Sequence, residues 1–125
     1  MVNFRIMVVE DDGIIALGLQ NKLESWGYTV DPMVFSGEEA VEESFQRKPD
    51  LILMDIGVKG ELNGIEVAQR IRELNIPIIY ITGLDDEIIT RKAMETVPYG
   101  ILKKPVNHEV LKHIIQSTLE DEEKK

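Results

Sequence analysis

The chain has 125 residues, which is about one domain, and its 14 Lys and Arg against 23 Asp and Glu give a formal net charge of −9. That balance argues against a nucleic-acid surface or a polybasic membrane patch, since both need clustered cations. There is no cysteine, which excludes disulfides, thiol catalysis and Cys-based metal sites.

Short apolar runs alternate with amphipathic stretches. Phe4 to Val9 reads as a buried strand with β-branched Ile6, Val8 and Val9. Ile15, Leu19, Leu23 and Trp26 form a helical stripe that Gly27 ends, and Tyr28 to Val30 is a short strand. Ser36 with Glu39 predicts a helix start, running to about Gln46. Leu51 to Met54 is wholly apolar, as a central parallel strand requires. After a Gly-rich loop from Gly57 to Gly64, Asn63 caps a third helix with Glu66 three residues on. Ile76 to Ile81 is a strand, Asp85 to Glu95 a helix and Tyr99 to Lys103 a strand. Asn107 caps a last helix carrying Val110, Leu111, Ile114, Ile115 and Leu119. The charged end, Glu120 to Lys125, reads as a frayed tail or a stub. No segment reaches the roughly 20 apolar residues of a membrane span, and Met1 to Arg5 lacks a signal peptide's apolar stretch. The expected compartment is the cytoplasm.

Strand and helix alternate five times, so the expected fold is α/β, a parallel sheet covered by helices on both faces. Ligands of such sheets bind beyond the carboxyl ends of the strands. There the chain places Glu10-Asp11-Asp12, Asp55, Thr82-Gly83 and Lys103-Lys104-Pro105. Crowded carboxylates repel by roughly 4 kcal/mol per pair at about 4 Å and surface-like dielectric, so the cluster calls for a cation. An all-oxygen ligand set suits Mg²⁺, which prefers to share its ligands with a phosphate. Lys104 and Thr82 suit the other phosphate oxygens, and Asp55 is the natural nucleophile. The residue types alone point to Mg²⁺-dependent phosphoryl transfer onto an aspartate.

From about Arg5 to Leu119 the chain resembles a response-regulator receiver domain of two-component signalling. Val8-Val-Glu-Asp-Asp12, Pro49-Asp-Leu-Ile-Leu-Met-Asp-Ile56, Asn63-Gly64, Ile81-Thr-Gly83 and Lys103-Lys-Pro105 carry the likeness, in order and at family-like spacing. The resemblance implies a flavodoxin-like (βα)5 doubly wound sandwich with strand order 2-1-3-4-5, a receiver domain over residues 1–119 and a charged tail over 120–125. It implies that Asp55 accepts a phosphoryl group from a histidine kinase or phosphotransfer protein. Asp11 would ligate Mg²⁺ directly, Glu10 would hold a metal-bound water, and Asp55 and the Gly57 carbonyl would complete the protein ligands. Thr82 would bond a phosphoryl oxygen and Lys104 would pair with the group, with a cis bond between Lys104 and Pro105. Thr82 and Ile101 would form a switch that remodels the face of helix four, strand five and helix five, read by a downstream output protein or domain. The resemblance also implies no turnover of a separate substrate; the charge balance and the lack of an apolar span argue against direct nucleic-acid or membrane contact, and a homodimer stays open.

Three features depart from the family pattern. The switch position holds Ile101 where Tyr or Phe is usual. The loop after Asp55, Ile56 to Gly64, is one residue longer and lacks the usual Pro. Gly57 and Leu84, at positions that tune dephosphorylation in the family, offer no polar group to orient water, which implies a long-lived phosphoryl state. Other roles compete at several residues. Asp12 reads as the cap of the first helix, Asp85 as a better cap than Thr82 for the fourth, and Gly57, Gly60 and Gly64 as turn glycines. Lys103, His108 and His113 are expected at the surface, and Tyr99 and Trp26 in packing. A flavodoxin-like cofactor binder would need a Ser/Thr/Gly-rich loop where Glu10 to Asp12 stand. A haloacid-dehalogenase-type phosphatase would need a second Asp where Gly57 stands. The alternative function is a receiver-like module that binds protein without phosphorylation.

Overall fold

The computed structural model describes residues 3–125; Met1 and Val2 of the expected domain lie outside the described residues. Leu51–Asp55 forms β3 and Ile78–Thr82 forms β4, and every residue of both strands is buried. Unbroken apolar runs of this kind occupy the middle of a parallel sheet, where both faces are covered. β1 is Arg5–Val9, β2 Thr29–Val30 and β5 Gly100–Lys103. All pairings are parallel, in the order β2-β1-β3-β4-β5, the order expected from the resemblance.

Four helices supply the crossovers, α1 Gly13–Ser25, α2 Gly37–Arg47, α3 Gly64–Arg70 and α4 Glu87–Glu95, and α5 His108–Glu123 follows β5. A 3₁₀ turn at Arg72–Leu74 follows α3. Alternate strand side chains point to opposite faces, and the core divides accordingly. Met7, Val9, Ile52, Met54 and Tyr80 pack with Ala40 of α2, Val67 and Ala68 of α3 and Ala93 of α4. Ile6, Val8, Leu51, Leu53, Ile79 and Ile81 pack with Leu19 and Leu23 of α1 and Leu111, Ile115 and Leu119 of α5. Among the described residues no helix is long and apolar enough to cross a membrane.

Helix starts follow local chemistry. Asp12, Ser36, Asn63 and Asn107 each accept a hydrogen bond from a first-turn backbone N–H, satisfying donors that helices leave unpaired. The expectation for α4 needs correcting. Asp86 is the cap, accepting from Ile88 and Ile89, whereas Asp85 is turned to Lys103. At the other end, α5 runs on to Glu123, so most of the stretch expected to fray is helical. Tyr99, expected only to pack, donates towards Asp121 and Glu122 of that last turn, 2.6 Å from each. Burial and these two carboxylates push its phenol up to about 12.

Candidate functional site

The carboxyl ends of β1, β3, β4 and β5 bring the singled-out residues to one end of the sheet. Asp55 and Thr82 are the last residues of their strands, Glu10 follows β1 and Lys104 follows β5. The Lys104–Pro105 peptide bond is cis. Glu10 and Asp55 are both buried. Lys104 Nζ lies 2.7 Å from Glu10 Oε1 and 3.3 Å from Asp55 Oδ2, so one ammonium bridges two carboxylates. Gly57 N–H donates to Asp55 Oδ1 at 3.0 Å, and Asp12 N–H donates to Glu10 Oε2 at 3.2 Å. Asp12 itself is occupied at the start of α1.

The charge is not balanced. Glu10, Asp11 and Asp55 each present a carboxylate oxygen, and the three oxygens lie within 4.8 Å of one another. Burial, reinforced by the neighbouring Asp55, pushes Glu10 up to about 7, against the opposing pull of Lys104 and the Asp12 N–H. Burial works against the Lys104 ammonium, but the two carboxylates outweigh it and hold its pKa above the ordinary lysine value. Glu10 Oε1, although close to Lys104, is buried without an aligned hydrogen bond. A buried carboxylate oxygen left in this state is costly. Three hard oxygen donors and one under-satisfied oxygen fit a divalent cation such as Mg²⁺, and contain no nitrogen or sulfur ligand that would favour a softer metal.

Thr82 is buried, and its hydroxyl oxygen accepts from Leu84 N–H at 2.9 Å, leaving its own hydrogen free to donate. Ile101 pairs with Tyr80 in the β4–β5 register and is half-buried against the α2–α3–α4 face. Lys103 is exposed, bound to Asp85 and to the Leu84 carbonyl; His108 and His113 are exposed. Of the three loop glycines, only Gly60 has a left-handed backbone, with φ +111°. Sequence spacing gave no hint that the start of α2 also touches this site's loop. There Glu38 accepts from Leu62 N–H at 2.9 Å, and Gly37 N–H donates to the Lys59 carbonyl at 3.1 Å.

Comparison with known proteins agrees with this architecture. The family model for the response regulator receiver domain matches residues 6–116. The alkaline phosphatase synthesis transcriptional regulatory protein PhoP of Bacillus subtilis is 36% identical over 106 residues, 83% of this chain and 43% of the relative. The sensory transduction protein BceR of Halalkalibacterium halodurans is 31% identical over 93% of this chain and 50% of its own length. The chain therefore spans about half the length of these curated relatives. Among solved structures, the signal receiver domain of a modulated diguanylate cyclase from Desulfovibrio desulfuricans superposes with a TM-score of 0.91 at 35% identity, covering 98% of both chains. The N-terminal domain of a three-domain response regulator from Carboxydothermus hydrogenoformans gives 0.86 at 31% identity, covering 95% of this chain and 96% of that one.

Proposed function

This chain belongs to the response regulator receiver domain family, and on that premise we propose that it accepts a phosphoryl group on Asp55, in a Mg²⁺-dependent transfer from a histidine kinase or phosphotransfer protein. The observation that carries the reading is the convergence of the Glu10, Asp11 and Asp55 carboxylates, with the Lys104 ammonium set against Glu10 and Asp55. A carboxylate of Asp55 attacks the phosphorus of the donor's phosphohistidine. As the new O–P bond forms the P–N bond breaks, and the histidine nitrogen leaves with the electron pair. Lys104 exchanges its contact with Asp55 Oδ2 for a phosphoryl oxygen, and Thr82 donates its hydroxyl hydrogen to another. Glu10, Asp11, Asp55 and the Gly57 carbonyl would hold the Mg²⁺, Glu10 through a water. When bound, the ion supplies positive charge to oxygens that become more negative during transfer. The product stays on the chain, so the event is a single modification rather than turnover.

Redistribution of charge at Thr82 and Lys104 then biases the α4–β5–α5 face between two arrangements, with Ile101 following Thr82. Ile88 of α4 and Val110 of α5 are exposed apolar side chains that an output partner, or a second copy of the chain, would cover. The formal charge of −9 favours a protein partner over direct nucleic-acid contact. The test is intact mass after incubation with acetyl phosphate, with and without Mg²⁺, for the wild type and Asp55→Asn. The expected result is one phosphoryl group that requires Mg²⁺ and is absent from the variant. No uptake under any condition leaves the fold intact and removes the switch.

A further inference from the structure

The loop from Ile56 to Asn63 follows Asp55 directly and carries Gly57, whose N–H bonds Asp55 Oδ1 and whose carbonyl is the proposed metal ligand. It holds three glycine or asparagine positions and no proline, and its base is closed by Gly64 N–H donating to the Ile56 carbonyl at 2.9 Å. Its near end is anchored by buried Ile56 and Val58. Its far side is held from outside, by the first turn of α2. Gly37 N–H donates to the Lys59 carbonyl at 3.1 Å, and Glu38 Oε1 accepts from Leu62 N–H at 2.9 Å.

Two glycines make this contact possible. A Cβ at Gly37 would run into the Leu62 carbonyl, and a Cβ at Gly60 would strike both carboxylate oxygens of Glu38. Gly60 also has φ +111°, which side-chain-bearing residues rarely adopt. The α2 start and the loop are therefore fitted to one another at backbone distance, with the Glu38 carboxylate seated over Gly60 and bonded to Leu62.

We propose that Glu38 is a positioning residue for the metal site: by tethering the loop at Leu62 it holds the Gly57 backbone in register with Asp55, Glu10 and Asp11. This rests on the phosphoryl-accepting reading above. Glu38 reaches neither the reacting atoms nor the metal ligands; it acts through the loop, as outer-shell partners fix ligands elsewhere.

The test compares Glu38→Ala, Glu38→Gln and Glu39→Gln in the full chain. Gln at 38 keeps an oxygen that accepts from Leu62 but loses the charge. Glu39→Gln removes a charge from the same turn, where Glu39 accepts from Phe35 N–H rather than from the loop. The first readout is the Mg²⁺ concentration that gives half-maximal phosphorylation by acetyl phosphate. It rises about tenfold in Glu38→Ala, the low end of outer-shell effects on metal affinity, while the rate at saturating Mg²⁺ holds. Both Gln variants stay near wild type. The second readout is amide hydrogen exchange in metal-free protein, where Leu62 loses protection in Glu38→Ala and keeps it in Glu38→Gln. An unmoved half-saturation in Glu38→Ala, or an equal shift in the two Gln variants, overturns the positioning role alone. A wild type that takes up no phosphoryl group overturns the underlying reading and this role with it.

Discussion

Gly57 and Leu84 face one another beside the Asp55 carboxylate: a Cβ built at Gly57 would stand 3.8 Å from Asp55 Oδ1 and 4.0 Å from Leu84 Cδ1. Neither residue has a polar side chain to orient water beside a phosphoryl group on Asp55. If Asp55 is phosphorylated as proposed, the expected outcome is slow loss of phosphate. Leu84→Asn, which adds an amide there, is expected to speed dephosphorylation by about tenfold, below the roughly 10²–10⁴ of full general acid–base catalysis. Decay of the phosphorylated mass after removal of acetyl phosphate measures it, and equal decay rates refute it.

Among the described residues, Lys104 is the one ammonium set between Glu10 and Asp55. Lys104→Met keeps most of the stem and leaves two buried carboxylates facing each other. In metal-free protein the cost is about 2–3 kcal/mol, somewhat below the roughly 3–5 kcal/mol for removing one partner of a fully buried pair, because Lys104 is partly exposed. With the proposed metal bound, Mg²⁺ is expected to restore more stability to the variant than it adds to the wild type. Urea unfolding with and without Mg²⁺ reads both effects, and unchanged stability would show that the ammonium does not offset the carboxylates.

Glu10 gives a pH dependence of defined sign. Its folded pKa is raised from 4.5 to about 7, so it favours the fold while protonated, fully below about pH 4.5, and this contribution is lost as pH rises through 7. Against Glu10→Gln, metal-free wild type should lose stability over that window by about 3 kcal/mol at roughly 1.4 kcal/mol per unit. Parallel stability–pH curves for the two proteins would contradict this. If the site holds Mg²⁺ as proposed, the ion at pH 7.5 is expected to stabilise the wild type by binding the folded state, and to do so less in Glu10→Gln.

Val97 has φ +54° and a side chain 83% exposed. A β-branched residue in the left-handed region is strained, and a side chain this exposed buries little to offset the cost. Val97→Gly is expected to raise stability by about 1 kcal/mol, seen as a higher urea midpoint with an unchanged slope. A lower midpoint would show that the side chain contributes more than its backbone costs.

The five βα alternations and the strand-end residues were legible because each depends on local pattern, whereas the strand order followed from the family resemblance. The apolar run Leu51–Met54 can sit only between two covered faces, and the carboxylates, Thr82 and Lys104 follow strands whose carboxyl ends must converge. What escaped depended on side chains meeting across the fold. Asp85 and Asp86 are equally good caps in sequence, and the choice is made by Lys103, which draws Asp85 to β5. The charged end looked unable to pack, yet Tyr99, 22 residues before Asp121, engages it. Glu38 lies 24 residues from Leu62, with no periodicity linking them. The glycines at 37 and 60 were visible, but not that they make room for the same carboxylate.

The central claim is that Asp55 receives the phosphoryl group. Reductive trapping addresses it most directly: after loading with acetyl phosphate and Mg²⁺, borohydride converts an aspartyl phosphate to homoserine, and peptide mass spectrometry locates the converted residue. The account predicts homoserine at position 55, formed only with Mg²⁺ present. Homoserine at another carboxylate, or none in protein whose intact mass shows a bound phosphoryl group, would contradict it.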